Sequence, residues 1–400
     1  MRIVLGVGAG IAAYKACELL RLFTEAGHAV RVVPTQDSLN FVGAATWAAL
    51  SGQPAVTTAF ADVHQVPHVR IGQDADLVIV APATADLMAR AAAGMSGDLL
   101  TAILLTARCP VIYAPAMHTE MWEHPATQAN VARLRSYGAL VVEPASGRLT
   151  GADTGPGRLP EPAELFATAL RVLDRGPAAT ALDLAGRSVL VSAGGTREDI
   201  DPVRYLGNRS SGRQGYALAA TAASRGARVT LVAANTELPD PAGVRVVRVA
   251  SARDLRDAML AEAAAADAIV MAAAVADFRP ARPSESKIKK TGAAPEPIAL
   301  VENPDVLREL AATRPRPGQV IVGFAAETGD LLANGRAKLA AKGCDLLVVN
   351  QVGNGLAFGT TDNEAVVLGA DGSETKIPRG PKEGLADVVW DLVGSRITTR

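Results

Sequence analysis

The sequence predicts an α/β protein made of two doubly wound domains with mostly parallel sheets. Short runs of almost continuous apolar residues alternate with amphipathic stretches, and this alternation occurs twice along the 400 residues. Continuous apolar runs are typical of parallel strands that helices cover on both faces. At about 150 residues per domain, the length also favours more than one domain. We therefore expect two Rossmann-like domains.

The first half contains five apolar runs that we expect to be strands: RIVLGVG, AVRVVPT, ADLVIVAPA, CPVIYAPA and ALVVEPA. Residues 11–26 follow a helical period, and we expect Gly27 to end that helix. The residues expected on one apolar face of it are Ile11, Tyr14, Ala16, Leu19, Leu22 and Phe23. We predict a first domain over residues 1–176 and a linker over 177–186.

The second half repeats the pattern over residues 187–400. Its expected strands are SVLVSAG, ARVTLVAAN, VRVVRVA, ADAIVMAAAVADF, QVIVGFAAET and CDLLVVN. Near the C-terminus, EAVVLGADGSETKI predicts two short strands around an Asp371-Gly372 turn, followed by a last helix. We see no close internal repeat, so the two halves share an architecture only.

Composition excludes several classes of function. Lys+Arg number 40 and Asp+Glu 41, so a net charge of -1 gives no long-range reason to expect a nucleic-acid or anionic-membrane partner. No apolar run approaches the roughly 18 residues of a membrane span, and no leader precedes the first strand. Three dispersed cysteines indicate a reducing compartment. We expect a cytoplasmic protein.

Two turns of the first half are candidates for a ligand site. GVGAGIAAYK joins a strand to a helix, where backbone amides can approach a phosphate. It is not a dinucleotide fingerprint, because Ile11 replaces the third glycine and Thr35 stands where a ribose-binding carboxylate is expected. The second turn leaves room for a planar ring along Ala81, Pro82, Ala83 and Thr84. Strand–helix packing alone is the alternative explanation of both turns, and it has more weight for the second turn than for the glycine turn.

Three features of the second half indicate an anion site. Ser210, Ser211 and Gly212 precede a helix, where they form an anion seat or merely a cap. Residues 279–290 carry five positive charges against one negative charge, which is typical of a solvated run or of a flap beside a triphosphate. Lys338 and Lys342 are four residues apart on one helix, so they share a face.

These motifs occur in the order found in a known family. The stretches that carry the resemblance are GVGAGIAAYK, PHVRIGQDADLVIVAPATADL, AAAGMSGDLL, PAMH, GPGR, DPVRYLGNRSSGRQG, AAAVADF, KIKK, NPDVL, GFAAET and AKLAAKGCDLLVVN. Over nearly its whole length, the chain resembles the bifunctional phosphopantothenoylcysteine decarboxylase/phosphopantothenate–cysteine ligases of coenzyme A synthesis. The resemblance implies a flavodoxin-like, FMN-binding first domain and a CTP-dependent ligase domain.

For the first domain, the resemblance implies that FMN oxidises the thiol end of 4'-phosphopantothenoylcysteine, so that the carboxylate leaves and 4'-phosphopantetheine results. His68 matches the family's catalytic histidine. The residues implied around FMN are Gly8, Ala9, Gly10 and Thr35 at the phosphate, and Ala81, Pro82, Ala83 and Thr84 at the ring.

Three departures from the family pattern concern the same domain. Gly8 replaces a serine, with Ala9 for the following glycine; His118 replaces an asparagine that holds the substrate carboxylate; and Gly151 replaces a flap cysteine that donates the last proton. His118, Asp153 or water are the candidate donors. We expect a working decarboxylase with a modified proton transfer.

For the second domain, the resemblance implies that 4'-phosphopantothenate reacts with CTP to an acyl-cytidylate, which L-cysteine then attacks. Asn208 would hold the carboxylate, Lys287 would stabilise both steps, and Mg²⁺ would bridge the phosphates. The implied CTP contacts are Asp277 at the ribose or its cation, Phe324 at the cytosine, and Lys338 and Lys342 at the triphosphate. Trimeric flavin domains and dimeric ligase domains, compatible with a dodecamer, are also implied.

Two other functions stay open at this stage. A non-catalytic, flavin-binding regulatory protein is favoured only by Gly8, His118 and Gly151. A pair of nicotinamide-dependent reductase domains is disfavoured by Ile11 and Thr35.

Overall fold

The structure is a computed structural model. It describes residues 1–58, 67–149, 154–289, 297–327, 330–351 and 362–399. The chain divides into two compact units, Met1–Leu182 with Pro241–Gly243 and Asp183–Asp240 with Val244–Arg400. The first division falls inside the segment predicted as a linker, where Gly176–Thr180 form a 3₁₀ helix and Ala179 is buried.

Unit 1 is a doubly wound α/β layer structure. Its strands are β1 Arg2–Val7, β2 Ala29–Pro34, β3 Leu77–Ala83, β4 Val111–Pro115, β5 Leu140–Val141, β6 Ala145–Arg148 and β7 Thr154–Arg158. The first five pair in parallel in the order β2-β1-β3-β4-β5, while β6 and β7 form an antiparallel ribbon. This order reverses beside β1, and the crevice at such a reversal is where doubly wound sheets bind ligands.

Helices cover both faces of this sheet. They are α1 Ala13–Glu25, α2 Ala44–Ser51, α3 Pro67–Asp74, α4 Ala85–Ala92, α5 Leu99–Thr106, α6 Thr119–Glu123, α7 Pro125–Ser136 and α8 Pro162–Arg175. Strand β3 is buried at every position, as its apolar run predicts. Two apolar clusters, one on each face, form the core of the unit.

The predicted apolar face of α1 is partly wrong. Ile11 is 74% and Tyr14 61% exposed, whereas the buried residues are Ala13, Ala16, Leu19, Leu20 and Phe23. The helix begins only at Ala13, which leaves Ile11 in the preceding turn. At 100° per residue, Tyr14 then lies on the side of the helix opposite Phe23.

Unit 2 contains a mixed sheet of eight described strands. Its strands are β8 Ser188–Gly194, β9 Arg197–Asp199, β10 Tyr205–Gly207, β11 Arg228–Ala234, β12 Val244–Val249, β13 Ala268–Met271, β14 Phe278–Pro280, β15 Leu300–Glu302, β16 Val320–Glu327, β17 Leu346–Gln351, β18 Asp362–Gly369 and β19 Glu374–Pro381. The sheet order is β12-β11-β8-β13-β16-β17-β18-β19, with β18 and β19 antiparallel. Two antiparallel ribbons, β9/β10 and β14/β15, lie outside it.

Strand β13 is shorter than the apolar run that predicts it. After Met271 the chain leaves the sheet and crosses the end of β8, where the backbone N–H of Ala274 donates to the carbonyl of Gly194. Residues 272–277 therefore form a loop above the carboxyl ends of the strands. The Asp371-Gly372 turn is confirmed, since β18 and β19 pair around it and Gly372 has a φ of 85°.

The helices of unit 2 lie on both faces of the sheet. They are α9 Arg213–Ser224, α10 Ala252–Ala263, α11 Val306–Thr313, α12 Leu331–Lys342 and α13 Lys382–Thr399. Core residues of α9 and α13 pack on one face, and those of α10, α11 and α12 pack on the other. Trp390 of α13 donates its indole N–H to the carbonyl of Leu218 in α9 at 2.9 Å. In the described part of the chain, none of the helices has the length and apolar character of a membrane span.

Candidate functional site

The two candidate turns of unit 1 meet at the carboxyl ends of its strands. The backbone N–H of Gly8 donates to the carbonyl of Pro82 at 3.0 Å, and that of Thr35 donates to the carbonyl of Val7 at 2.9 Å. The structure thus brings together the residues predicted at the FMN phosphate and those predicted at its ring. The peptide between Ala81 and Pro82 is cis.

Gly8 approaches the second turn so closely that no side chain fits there. A Cβ at this position would lie 2.5 Å from the carbonyl oxygen of Pro82, and a backbone atom cannot rotate away. At Gly10 the nearest atom is Thr84 Cγ2, at 4.0 Å from such a Cβ. The glycine that departs from the family's serine is therefore required by this backbone.

Thr35 carries a buried hydroxyl that has no partner among the described residues. The residue is 6% exposed, and its Oγ1 makes no hydrogen bond there. Such a group costs about 1–3 kcal/mol unless a ligand or water satisfies it. An orphaned hydroxyl beside a tight glycine turn fits the phosphate of a flavin nucleotide. Thr84, by contrast, accepts a hydrogen bond from Leu87 N at 3.3 Å and caps α4.

His118 lies in the short segment between β4 and α6, which is hydrogen-bonded to β7 of the β6/β7 ribbon. The preceding residue, Met117, donates its N–H to the carbonyl of Gly157 at 2.9 Å, and Thr119 Oγ1 donates to the carbonyl of Pro156 at 2.9 Å. His118 is exposed and precedes α6 without capping it through its side chain. The GPGR ribbon is thus packed against the PAMH segment. Gly151 and Asp153 lie outside the described residues.

His68 occupies the first turn of α3 and contacts α5. Thr106 Oγ1 donates to the backbone carbonyl of His68 at 2.9 Å. Its ring Nδ1 is buried and has no partner among the described residues. Among the described residues, no hydrogen bond joins His68 to Gly8, Thr35 or Thr84. The structure therefore leaves this imidazole with a buried ring nitrogen that no described residue binds.

Unit 2 has a cavity of about 890 Å³ at the carboxyl ends of its strands. The N-terminal turn of α9 lines it from one side of the sheet, and α11 and α12 line it from the other. The predicted residues that it brings together are Asn208, Ser210, Ser211, Gly212, Asp277, Phe324, Lys338 and Lys342. Lys287 is exposed and does not line the cavity.

Both predicted lysines of the cavity are paired with carboxylates. Lys342 Nζ lies 2.6 Å from Asp305 Oδ2, and Lys338 Nζ lies 2.5 Å from Glu327 Oε1. Burial opposes ionisation of Asp305, but hydrogen bonds from Lys342 and from the N–H of Arg308 hold its pKa below its usual value. A bound polyanion would have to share these ammonium groups with the acidic residues.

Amide side chains fix the loops around the cavity. Asn208 Nδ2 donates to the carbonyl of Val275 at 2.9 Å, which ties the serine-rich loop to the loop after β13. Asn303 Nδ2 donates to the carbonyl of Ala276 at 2.9 Å, and its N–H donates to the carbonyl of Asp277 at 2.8 Å. Asn303 belongs to the NPDVL stretch, which the sequence singled out without a role.

A second set of lining residues was given no role by the sequence, although Gln214 belongs to the DPVRYLGNRSSGRQG stretch. Asn363 Nδ2 donates to Gln214 Oε1 at 3.1 Å, and Gln214 Nε2 donates to the carbonyl of Lys382 at 3.2 Å. The three residues are far apart in the chain and meet because α13 packs both on α9 and on β18 and β19. No group of three or more His, Cys, Asp or Glu residues suited to a metal ion occurs within the described ranges.

Comparisons with known proteins cover both units. Residues 184–396 match the family described as DNA/pantothenate metabolism flavoprotein C-terminal domain, and residues 1–173 match the family Flavoprotein. The chain is 59% identical to the coenzyme A biosynthesis bifunctional protein CoaBC of Mycolicibacterium smegmatis over 98% of this chain and 97% of the relative. It is 42% identical to the protein of that name from Vibrio vulnificus, over 96% and 95%. A solved C-terminal domain of a protein of that name, 31% identical, covers 55% of this chain and 100% of its own with a TM-score of 0.47.

Proposed function

Because the chain belongs to the family of coenzyme A biosynthesis bifunctional proteins, we propose that residues 187–400 ligate cysteine to 4'-phosphopantothenate and that residues 1–176 decarboxylate the product. The protein is an enzyme of coenzyme A biosynthesis with a decarboxylase and a ligase activity. The observation that carries the proposal is the continuous match through both units to a relative of nearly the same length.

The ligase reaction would take place in the cavity of unit 2. Asn208 would hold the substrate carboxylate, with the amide already oriented by Val275. The free N–H groups at the start of α9 and the hydroxyls of Ser210 and Ser211 offer donors to phosphate oxygens. Lys338 and Lys342 would neutralise charge that develops as pyrophosphate leaves CTP, and Mg²⁺ would bridge the phosphates.

Phe324 and Asp277 would orient the nucleoside part of CTP. Phe324 is half-buried in β16, lines the cavity and packs against the apolar cluster that contains the core residues of α9 and α13. Asp277 is exposed to the same cavity and lies beside Asn303, whose N–H binds its carbonyl. An apolar ring wall with a polar group at its rim is the arrangement expected of a nucleoside site.

The decarboxylase reaction would use the cluster at the carboxyl ends of β1, β2 and β3. Gly8, Ala9, Gly10 and Thr35 would hold the FMN phosphate, and the stretch from Ala81 to Thr84 would face the ring. Bound FMN supplies the two-electron chemistry that a thiol substrate needs before its carboxylate can leave. His68 would position or deprotonate the thiol, and the exposed His118 would hold the substrate carboxylate.

Association between copies is part of the proposal, with trimeric flavin domains and dimeric ligase domains. In unit 2, exposed apolar side chains concentrate on the two ribbons and the segments that join their strands. These are Val203, Tyr205, Leu206, Phe278, Ile288, Ile298, Leu300 and Val301. Apolar surface of this kind supports a contact with a second copy. We also propose a cytoplasmic location, in keeping with three free cysteines.

The experiment that tests the proposal separates the two activities. Purified protein is supplied with 4'-phosphopantothenate, CTP and Mg²⁺, and pyrophosphate release is followed before and after L-cysteine is added. In a second reaction, 4'-phosphopantothenoylcysteine is supplied directly, and carbon dioxide and the flavin absorbance spectrum are measured. Release of pyrophosphate and of carbon dioxide is expected. A yellow protein that carries out neither reaction would instead favour the regulatory alternative.

A further inference from the structure

The segment that carries Lys287 is attached to the β9/β10 ribbon at two points. The N–H of Ser284 donates to the carbonyl of Ile200 at 2.9 Å. Four residues later, the peptide groups on both sides of Ile288 are bound: its N–H donates to Asp201 Oδ2 at 3.1 Å, and its carbonyl accepts from Arg204 at 2.7 Å. These contacts fix the backbone next to Lys287, although Lys287 itself is exposed.

Asp201 organises this attachment from a buried position. It is 1% exposed, lies in the loop between β9 and β10, and accepts hydrogen bonds from the N–H groups of Val203 and Arg204 at 2.8 Å each. Its Oδ2 also accepts from Arg204 Nε at 3.0 Å. A buried carboxylate is stable only when donors surround it, and here one of those donors belongs to the lysine segment.

The charge of Asp201 is secured by the same contacts. The Arg204 guanidinium, together with the N–H groups of Val203, Ile288 and Arg204, holds the pKa of this carboxyl far below its usual value against the effect of burial. Asp201 thus stays ionised at every pH at which the enzyme is expected to work. The hydrogen bond from the N–H of Ile288 to Asp201 is therefore charge-assisted, and it is stronger than a hydrogen bond between neutral groups.

A lysine that stabilises a leaving group needs a backbone in a fixed position, so that its ammonium group reaches the leaving group. Consecutive Cα atoms are 3.8 Å apart, so fixing Ile288 confines the Cα of Lys287 to a small volume. The described residues that follow β14, 281–289, contain no helix or strand that could hold the backbone of Lys287 instead. A misplacement of about 1 Å costs up to about 100-fold in rate when a group acts on a transition state.

We propose that Asp201 is a positioning residue of the ligase reaction, which holds the peptide of Ile288 together with Arg204 so that Lys287 is presented to the nucleotide phosphates. The proposal rests on the proposed function, because it assumes the role of Lys287 in the reaction with CTP. It adds a residue outside the cavity, 86 positions away from Lys287 in the chain.

The test is a double-mutant cycle in the full-length protein. Asp201→Asn keeps Oδ1 as the acceptor for Val203 and Arg204, but it places an NH₂ group opposite the N–H of Ile288 and the Arg204 guanidinium. Pyrophosphate release from CTP and 4'-phosphopantothenate is expected to slow by about 10- to 100-fold. In a Lys287→Gln background, the same change is expected to have an effect within about twofold. Asp199→Asn, an exposed carboxylate of the same ribbon, is the matched control and is expected to retain the wild-type rate.

A purely structural role predicts a different outcome. Equal slowing by Asp201→Asn with and without Lys287 would overturn the proposal, as would full activity of Asp201→Asn. Limited trypsin digestion provides a readout that does not depend on enzyme activity. Cleavage after Lys287 should be faster in Asp201→Asn than in the wild type, and an unchanged cleavage rate would contradict the proposal. If Asp201→Asn does not fold, Arg204→Lys provides the second test. A lysine cannot donate to both Asp201 and the carbonyl of Ile288 as the guanidinium of Arg204 does. Absence of pyrophosphate release by the wild-type protein would instead contradict the proposed function.

Discussion

The glycine at position 8 gives the sharpest prediction for the flavin site. Gly8→Ser restores the hydroxyl that the family's pattern has there, yet its Cβ would lie 2.5 Å from Pro82 O. Even the closest real contacts of a Cβ exceed this distance by about half an ångström, so the β1–α1 turn must move away from β3. Overpacking of this kind costs about 1–3 kcal/mol, and loss of the Gly8 N–H bond to Pro82 adds about 0.5–1.5 kcal/mol.

The assay is thermal unfolding of the flavin-free protein, followed by FMN retention on gel filtration. For a unit of this size, the packing cost alone corresponds to a melting temperature lowered by roughly 2–12 °C. We expect Gly8→Ser to retain less FMN, despite its added hydroxyl. Gly10→Ala is the control for the flavin-free protein, because its Cβ would meet only Thr84 Cγ2 at 4.0 Å. A Gly8→Ser protein that melts like the wild type and binds more FMN would refute the steric reasoning.

Three further predictions concern single groups. Thr35→Val should leave the melting temperature of the flavin-free protein unchanged or raise it, because the hydroxyl that it removes is unsatisfied. The same change should weaken FMN retention on gel filtration. A loss of stability without a loss of FMN would count against a phosphate contact at Thr35. Lys342→Gln should raise KM for CTP by about 10- to 150-fold, since a charge-assisted contact contributes about 1.5–3 kcal/mol. The exposed Lys376→Gln should leave KM unchanged in the same steady-state assay. Because the folded-state pKa of Asp305 is lowered, its pair with Lys342 stabilises the protein above the unfolded pKa of about 4 and is lost as pH falls through the lower folded value. The wild type should therefore melt above Lys342→Gln by a constant margin from about pH 6 to 9, and acid titration of both should show that margin closing below about pH 4.

Local patterns were enough to predict most strands of the two large sheets and the two turns that meet at the strand ends of unit 1. The glycine turn near Gly8 and the Ala81–Thr84 turn were both recognised, because glycine and short apolar runs act within a few residues. Their 3.0 Å contact was not, since it depends on the pairing of β1 with β3. The exposed Tyr14 shows the same limit, because the start of a helix sets its buried face.

In unit 2, the residues missed by sequence reasoning are those that only the sheet order brings together. Gln214 and Asn363 are separated by 149 positions and meet because antiparallel β18 joins the sheet beside β17. Lys287 was expected beside the phosphates but lies outside the cavity wall. Its neighbour Ile288 is bound by Asp201, which belongs to the DPVRYLGNRSSGRQG stretch but was given no role there.

The central claim is that one chain carries two successive activities in its two units. Full-length protein is incubated with 4'-phosphopantothenate, L-cysteine, CTP and Mg²⁺, and the products are identified by mass. The wild type should form 4'-phosphopantetheine with one pyrophosphate per product, His68→Asn should accumulate 4'-phosphopantothenoylcysteine, and Lys287→Gln should form both compounds much more slowly than the wild type. Formation of 4'-phosphopantetheine by His68→Asn at the wild-type rate, or no acylated cysteine in any reaction, would contradict the account.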